Sequence, residues 1–558
     1  MSAPKSQLAL KWMPSFTDFA FLMPILFLFG RMNGLKTLLG DCDTGWHIRT
    51  GEWISANHAV PAHDIFSFSK PGDPWFAWEW LSDVLFAWIN AHGGLRALVI
   101  FAILLLSTTF TLLYFLVRRR SNHIVAICVT MLAAAASSIH WLARPHLFTL
   151  LFTVLLYGAL ENVRAGRTRL AGVPYLAIFP AATVLWTNLH GGFFVGIIMI
   201  FVYGVAELLE FAFTPDAGAR EQARRRGRAY FLSALGCLAA SLINPYTYHL
   251  HAHMLQYLRD PWNSEHIMEF LSPSFHHPTA LFFEMLLALG AWAAFANLSR
   301  GRLVEPILFI LWAHAALLAA RNIPLFAIIA APMAAGVIQQ ALDASAEWNV
   351  AGWAGSLVAR FNRLVVRTSE SEAIRRSHLV SALGLAAVVA LVWAPHPPKK
   401  FRAEFDPGFY PAKALAALRG RPSARIFTND EWGDYLIWSL YPSNRVFVDG
   451  RSDFYGDDFE NRYVDVLNVQ TGWDKTLSRF GVDTILLPPG APLAGALKES
   501  SRWKAVYDDG IALIFRPSAK PWGEAVSVTA SRDGESRGRE ITKTGSGNQE
   551  TGLTKSKT

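Results

Sequence analysis

The segment 98–117, reading LVIFAILLLSTTFTLLYFLV, carries no charge from end to end. A membrane span needs roughly 20 mostly apolar residues, because about 30 Å of hydrocarbon is crossed at about 1.5 Å per residue. The same pattern recurs at 18–38, 123–142, 146–162, 173–188, 191–212, 229–243, 279–297, 303–319, 323–341 and 379–395. The prediction is a multi-pass α-helical membrane protein with about eleven transmembrane helices. Three intervening stretches, about 40–93, 244–278 and 396–525, are too long to be simple connectors and too rich in Trp, His and Phe for disorder.

The period changes within these stretches. In 40–93, Trp46 to Ile54 and Trp78 to Ile89 place apolar residues at helical intervals beside polar ones, as in helices lying at the membrane surface, with tryptophans at headgroup depth. Pro61, Pro71, Gly72 and Pro74 break the chain between them. From about 396 onward, short strands beginning at Arg425, Arg445, Asp483 and Ile511 alternate with helices near 435–440, 459–469 and 493–499. The turn Asp508-Asp509-Gly510 suits a final hairpin. The expected organisation is a membrane domain over 1–395, a small α/β domain over 396–525, and a disordered polar tail over 526–558.

Composition fits this layout. Of the 558 residues, 52% are hydrophobic and 17% charged, against about 25% charged in a typical soluble domain. The net charge of +8 has a use in orienting loops, so nucleic acid is not an expected partner. Arg118-Arg119-Arg120, Arg164/Arg167/Arg169, Arg224-Arg225-Arg226/Arg228 and Arg300/Arg302 all fall on one side if Met1 is cytoplasmic. The α/β domain is then extracytoplasmic. The three cysteines form no disulfide scaffold.

Candidate chemistry gathers on the outer side. Asp41 and Asp43, just after the first span, repel each other unless separated, protonated or bridged by a cation. They are candidates for proton transfer or for a divalent metal such as Mg or Mn, or else they simply solvate the loop and complement a helix start. His47, Arg49 and Glu52 follow, and Glu79 shares a helix face with Asp83. Near the outer span ends lie Arg144-Pro145-His146, Asn188-Leu189-His190, Asn244-Pro245-Tyr246 and Arg321-Asn322. Ionisable groups at that depth usually line a cavity, and the arginines suit phosphate oxygens, although snorkelling to the headgroups explains either alone. The histidines 249, 251 and 253 fit a helix better than a metal site. No Walker loop, HExxH or GxSxG motif is present.

The segments DCDTGWHIRTGEWI, VPAHDIFSF and PWFAWEWLSDVLF, with the span count and the C-terminal domain, resemble the GT-C superfamily of membrane glycosyltransferases. The likeness is to bacterial members related to protein O-mannosyltransferases and aminoarabinose transferases. It implies a GT-C-like protein of the bacterial inner (plasma) membrane that moves a sugar from polyprenyl phosphate to a protein, lipid or glycan acceptor on the extracytoplasmic side. Asp41 or Asp43 would act as catalytic base, with metal optional. His47, Arg49, Glu79, Arg144, His146, Asn188, His190, Arg321 and Asn322 would serve the substrate and its phosphate. Glu431-Trp432-Gly433-Asp434-Tyr435 and the later Asp449-Gly450-Arg451 faintly resemble the WWDYG region of oligosaccharyltransferases. That places Trp432, Asp434, Tyr435, Asp449 and Arg451 on the acceptor side, although the order W-G-D-Y differs and a turn before a helix explains the segment equally well. The competing readings are a secondary transporter or lipid flippase, and a non-catalytic envelope assembly protein.

Overall fold

The computed structural model describes residues 11–213, 215–347 and 353–518. The expected tail over 526–558 lies outside the described residues.

Every segment expected to span is at least partly helical. Six helices are long and apolar enough to cross a membrane: Trp80–Arg118, His123–His140, His146–Arg164, Phe193–Phe213, Ala280–Leu298 and Ala320–Ser345. Shorter apolar helices cover Ala177–Leu189, Val304–Leu318 and Leu379–Val392. The first segment is shorter than its hydropathy predicts. Ser15 and Asp18 form a reciprocal capping box that starts helix Phe16–Leu26. A π-helical turn, Phe27–Arg31, follows, and Gly34 at φ 67° redirects the chain. At the centre, Phe326 through Ala331 are all buried, and alanines at 327, 330, 331, 334 and 335 let neighbouring helices approach closely.

The helix begun at Trp80 breaks at Gly94, whose φ of 63° only glycine adopts easily, and a second helix runs on from there to Arg118. Helix Asp43–Asn57 packs against the part before Gly94. A Cβ on Gly51 would lie 1.9 Å from Asp83 O, so glycine sets this close approach. The first-loop tryptophans also differ from expectation. Trp46 and Trp75 are buried within the protein, whereas Trp88 is 60% exposed.

The C-terminal region forms a five-stranded mixed sheet. Its strands are β1 Arg425–Phe427, β2 Arg445–Val446, β3 Thr484–Leu487, β4 Trp503–Asp508 and β5 Leu513–Pro517. They lie in the order β2-β1-β3-β5-β4, with β1 parallel to β2 and β3 and the final hairpin antiparallel. The first loop pairs with the β2 edge: Val446 N–H donates to Phe66 O at 3.1 Å, and Phe68 N–H donates to Val446 O at 3.0 Å.

A buried arginine fastens this junction. Arg451 donates to Asp449 at 2.7 Å and to Asp64 of the first loop at 2.8 Å, and it stacks over Trp75 at 4.4 Å. Charges removed from water are stable only when paired, so the loop and the α/β region hold each other through this side chain. Arg451→Met strands Asp64 and Asp449, and we expect a loss of about 3–5 kcal/mol, read as a lowered thermal unfolding midpoint of the purified protein.

Candidate functional site

Arg144 lies in the bend before helix His146–Arg164. It contacts Asp41 at 3.0 Å, Asp43 at 2.6 Å and Glu269 at 3.3 Å. The bend is anchored to the first loop by Ala143 N–H donating to Leu38 O at 2.7 Å and Thr44 Oγ1 donating to Ala143 O at 3.1 Å. Glu269 also meets Arg321 at 3.2 Å, and the Arg321 guanidinium lies 4.4 Å from the Phe270 ring centre. The carboxylates repel one another, and the two guanidiniums offset that repulsion.

Asp43 faces the α/β region as well. It is hydrogen-bonded to Asp434, which also accepts from Gly450 N–H at 2.9 Å. Two carboxyl groups bond to each other only when one carries a proton. Burial pushes the Asp43 carboxyl up to about 7, with Arg144 opposing the rise. Asp434 is pushed well up by burial and then by Asp43. A Cβ on Gly450 would lie 2.6 Å from Asp434 Oδ2 and 2.9 Å from Asp43 Oδ1, so the absence of a side chain allows this approach. Glu269 goes the other way: despite its burial, Arg144 and Arg321 hold it down to about 2.

A row of alternating carboxylates and imidazoles forms the adjoining wall. His47 Nδ1 is 2.6 Å from Asp83 Oδ1 and His47 Nε2 is 3.4 Å from Glu79 Oε2. Glu79 Oε1 lies 3.3 Å from His190 Nε2. Burial pushes Glu79 up to about 8, with Arg144 opposing, and pulls His190 down to about 3.

The structure therefore brings together Asp41, Asp43, His47, Glu79, Arg144, His190, Arg321 and Asp434. His146 stands beside them, 4.5 Å from the His140 ring, and His140 is 3.6 Å from Glu269. Other candidates are used elsewhere. Arg49 donates to Trp438 O at 2.9 Å and pairs with Glu52, fastening the first loop to the α/β region. Asn188 accepts from Trp80 Nε1 at 2.7 Å and donates to Val184 O and Ile243 O, and Asn322 donates to Ala315 O. Trp432 donates to Phe409 O, Tyr435 stacks on Tyr410, and Asp449 holds Arg451. The segment 431–435 is not the turn that its sequence allows but the first half of helix Asp430–Leu440, which turns Asp434 toward Asp43. Glu269 and Asp64 carried no sequence signal. Asp83 had one, its spacing from Glu79.

The donors do not fit a divalent ion as arranged. Arg144 occupies the bridging position between Asp41 and Asp43, and among the described residues no group of three or more His, Cys, Asp or Glu converges as ligands.

No protein-family model and no curated protein matches the chain in sequence. In three dimensions it overlaps the oligosaccharyltransferase of Archaeoglobus fulgidus in its apo form, with a TM-score of 0.51 at 12% identity, over 86% of this chain and 69% of that one. The chain shares the fold of this archaeal oligosaccharyltransferase. The same archaeal enzyme in complex with Zn and sulfate overlaps at 0.50 and 14% identity, over 85% and 68% of the two chains. ArnT from Cupriavidus metallidurans bound to undecaprenyl phosphate gives 0.44 at 15% identity, over 92% and 98%. Within this fold, the arginine and carboxylate cluster lies where the first loop, the helix ends and the α/β region meet.

Because Glu269 has its acidity strengthened by Arg144, the stabilisation it adds is present above its unfolded value near 4.5 and is lost as pH falls toward about 2. Arg144→Gln should therefore lower the thermal midpoint more at pH 7 than at pH 3. An equal loss at both pH values would show that the charge of Glu269 is not what Arg144 supports.

Proposed function

We propose that this protein is an integral-membrane glycosyltransferase that moves a sugar from a polyprenyl-phosphate donor to an acceptor on a protein, lipid or glycan. The reading places Met1 in the cytoplasm and the α/β region on the extracytoplasmic side of a bacterial inner membrane, since the arginine clusters gather on one side. The observation that carries it is the meeting of Asp43 and Asp434 beside Arg144 in a GT-C fold. A carboxylate that titrates near neutral pH is suited to take a proton from an acceptor hydroxyl. Arginines suit the donor's phosphate and the charge that develops on it as the sugar leaves.

In this mechanism the donor phosphate enters beside Arg144 and Arg321, taking the place of part of their carboxylate contacts. The acceptor oxygen attacks the anomeric carbon while Asp43 receives its proton. Asp434 keeps Asp43 oriented through their shared proton, and Asp41 holds Arg144 from the other side.

The test uses the purified protein in lipid nanodiscs with a panel of radiolabelled polyprenyl-phosphate sugars and candidate acceptors. Wild type should transfer sugar, and Asp43→Asn should lose about 10²–10⁴-fold in kcat while remaining folded. A fully active Asp43→Asn would sink the base assignment. Absence of both binding and turnover across the panel would favour transport or assembly.

The pH profile supplies a second check. Asp43 works only when ionised, so activity should rise as pH passes about 7. The hydrogen bond from Asp434 favours the ionised form of Asp43, so Asp434→Ala should move this rise to higher pH. Asp434→Asn, whose amide still donates, should move it less.

A further inference from the structure

We propose that a cavity at the far end of the helical bundle holds the headgroup of a zwitterionic phospholipid, with its primary ammonium on Glu305 and its phosphate on Arg302. The site is separate from the Arg144 cluster, and the inference does not depend on the glycosyltransfer reading.

Helix His146–Arg164 begins just after Arg144, and its 19 residues extend about 28 Å at about 1.5 Å per residue, close to the hydrocarbon thickness of a bilayer. Arg164 therefore lies at the membrane face opposite Arg144. There it lines a cavity of about 530 Å³ with Arg120, Glu161, Arg302, Glu305 and Asp343. That volume suits a small ligand, and the position is headgroup depth.

The deep charges are paired, with one exception. Arg120 and Arg164 both donate to the same Glu305 oxygen, Oε1, at 3.1 and 2.9 Å. Arg120 also pairs with Glu161, whose other oxygen accepts from Tyr203 O–H at 2.7 Å. Glu305 is 3% exposed, and its second oxygen, Oε2, is buried without a hydrogen-bond partner. A buried carboxylate oxygen in that state lacks a donor. Nearer the surface, Arg302 and Asp343 line the same cavity and are exposed. Among the described residues no ion pair engages the Arg302 guanidinium. Three residues separate Arg302 from Glu305 in the chain, so their backbones lie within about 11 Å, a gap that two side chains and one headgroup can bridge. Gly336 leaves room beside Arg120, since a Cβ there would sit 3.8 Å from Arg120 Cβ and Cδ.

This order of charges selects the ligand. A phosphate alone would face Glu161, Glu305 and Asp343 while Arg120 and Arg164 are already neutralised. A metal ion would need carboxylates that the arginines hold, and among the described residues no group of three or more His, Cys, Asp or Glu converges as ligands. A zwitterion meets both needs: its ammonium gives an N–H to Glu305 Oε2, and its phosphate accepts from Arg302. A quaternary ammonium has no N–H to give, and a glycerol headgroup has no cation. The chemistry therefore favours an ethanolamine headgroup over choline or glycerol. A water on Glu305 would satisfy the oxygen without telling these lipids apart.

Native mass spectrometry of the full-length protein in detergent tests this, with phospholipids of matched chains carrying ethanolamine, choline or glycerol headgroups. Wild type should retain the ethanolamine lipid about tenfold more tightly than the other two. Glu305→Gln should abolish that preference, and Arg302→Gln should weaken retention of all three lipids. Gly336→Leu, which fills the cavity without removing a charge, should lose the ethanolamine preference while the protein stays folded by circular dichroism. This variant keeps the test decisive where loss of the Glu305 charge unfolds the protein. Equal retention of the three lipids by wild type, or an ethanolamine preference that survives Gly336→Leu, overturns the proposal. Displacement of the bound lipid by free O-phosphoethanolamine would assign the site to a soluble ligand and overturn the lipid assignment.

Discussion

The Arg144 guanidinium is the charge that the carboxylate chamber depends on. Asp41, Asp43 and Glu269 come from two loops far apart in sequence, and without a cation between them their repulsion would drive the loops apart. Placing Arg144 in a non-helical bend, tied by backbone and hydroxyl hydrogen bonds to the first loop, fixes that cation in place. The α/β region closes over the same point through Asp434 and Gly450. Its own fastening, Arg451 between Asp64 and Asp449, repeats the device one layer away.

An excess of carboxyl groups over arginines means that some of them hold protons near neutral pH, and their environments set which. Glu269, between two guanidiniums, stays ionised. Asp43 and Asp434 share a proton, and burial between His47 and His190 pushes the Glu79 carboxyl up to about 8. One chamber thus holds carboxyl groups whose surroundings push them in opposite directions, Glu269 down to about 2 and Glu79 up to about 8.

Much of the fold was legible because helical and strand periods survive in the sequence. The apolar segments, helix Asp43–Asn57, the strands of the sheet and the final hairpin all follow from local pattern. Parts of the site were legible for a similar reason. Asp41 with Asp43 and Glu79 with Asp83 announce themselves by spacing, and Arg144 and Arg321 by charge at a span end. Glu269 and Asp64 did not, since a lone acid in a loop gains meaning only from arginines distant in sequence. Arg49, Asn188 and Asn322 have the composition of site residues, but nearby backbone carbonyls use their donors. Trp46 and Trp75 misled for a related reason: an indole suits a headgroup layer and a protein core alike, and here both are buried within the protein, Trp75 against Arg451.

In the proposed reading, this arginine and carboxylate chamber receives the phosphate of a lipid-linked sugar. The most direct measurement is a structure of the full-length protein in nanodiscs with undecaprenyl phosphate bound. Phosphate oxygens are expected about 3 Å from the guanidiniums of Arg144 and Arg321, with at least one carboxylate contact of Arg144 exchanged for phosphate and Asp43 facing the open side of the chamber. Phosphate bound elsewhere, with the contacts of Arg144 to Asp41, Asp43 and Glu269 all intact, would contradict it.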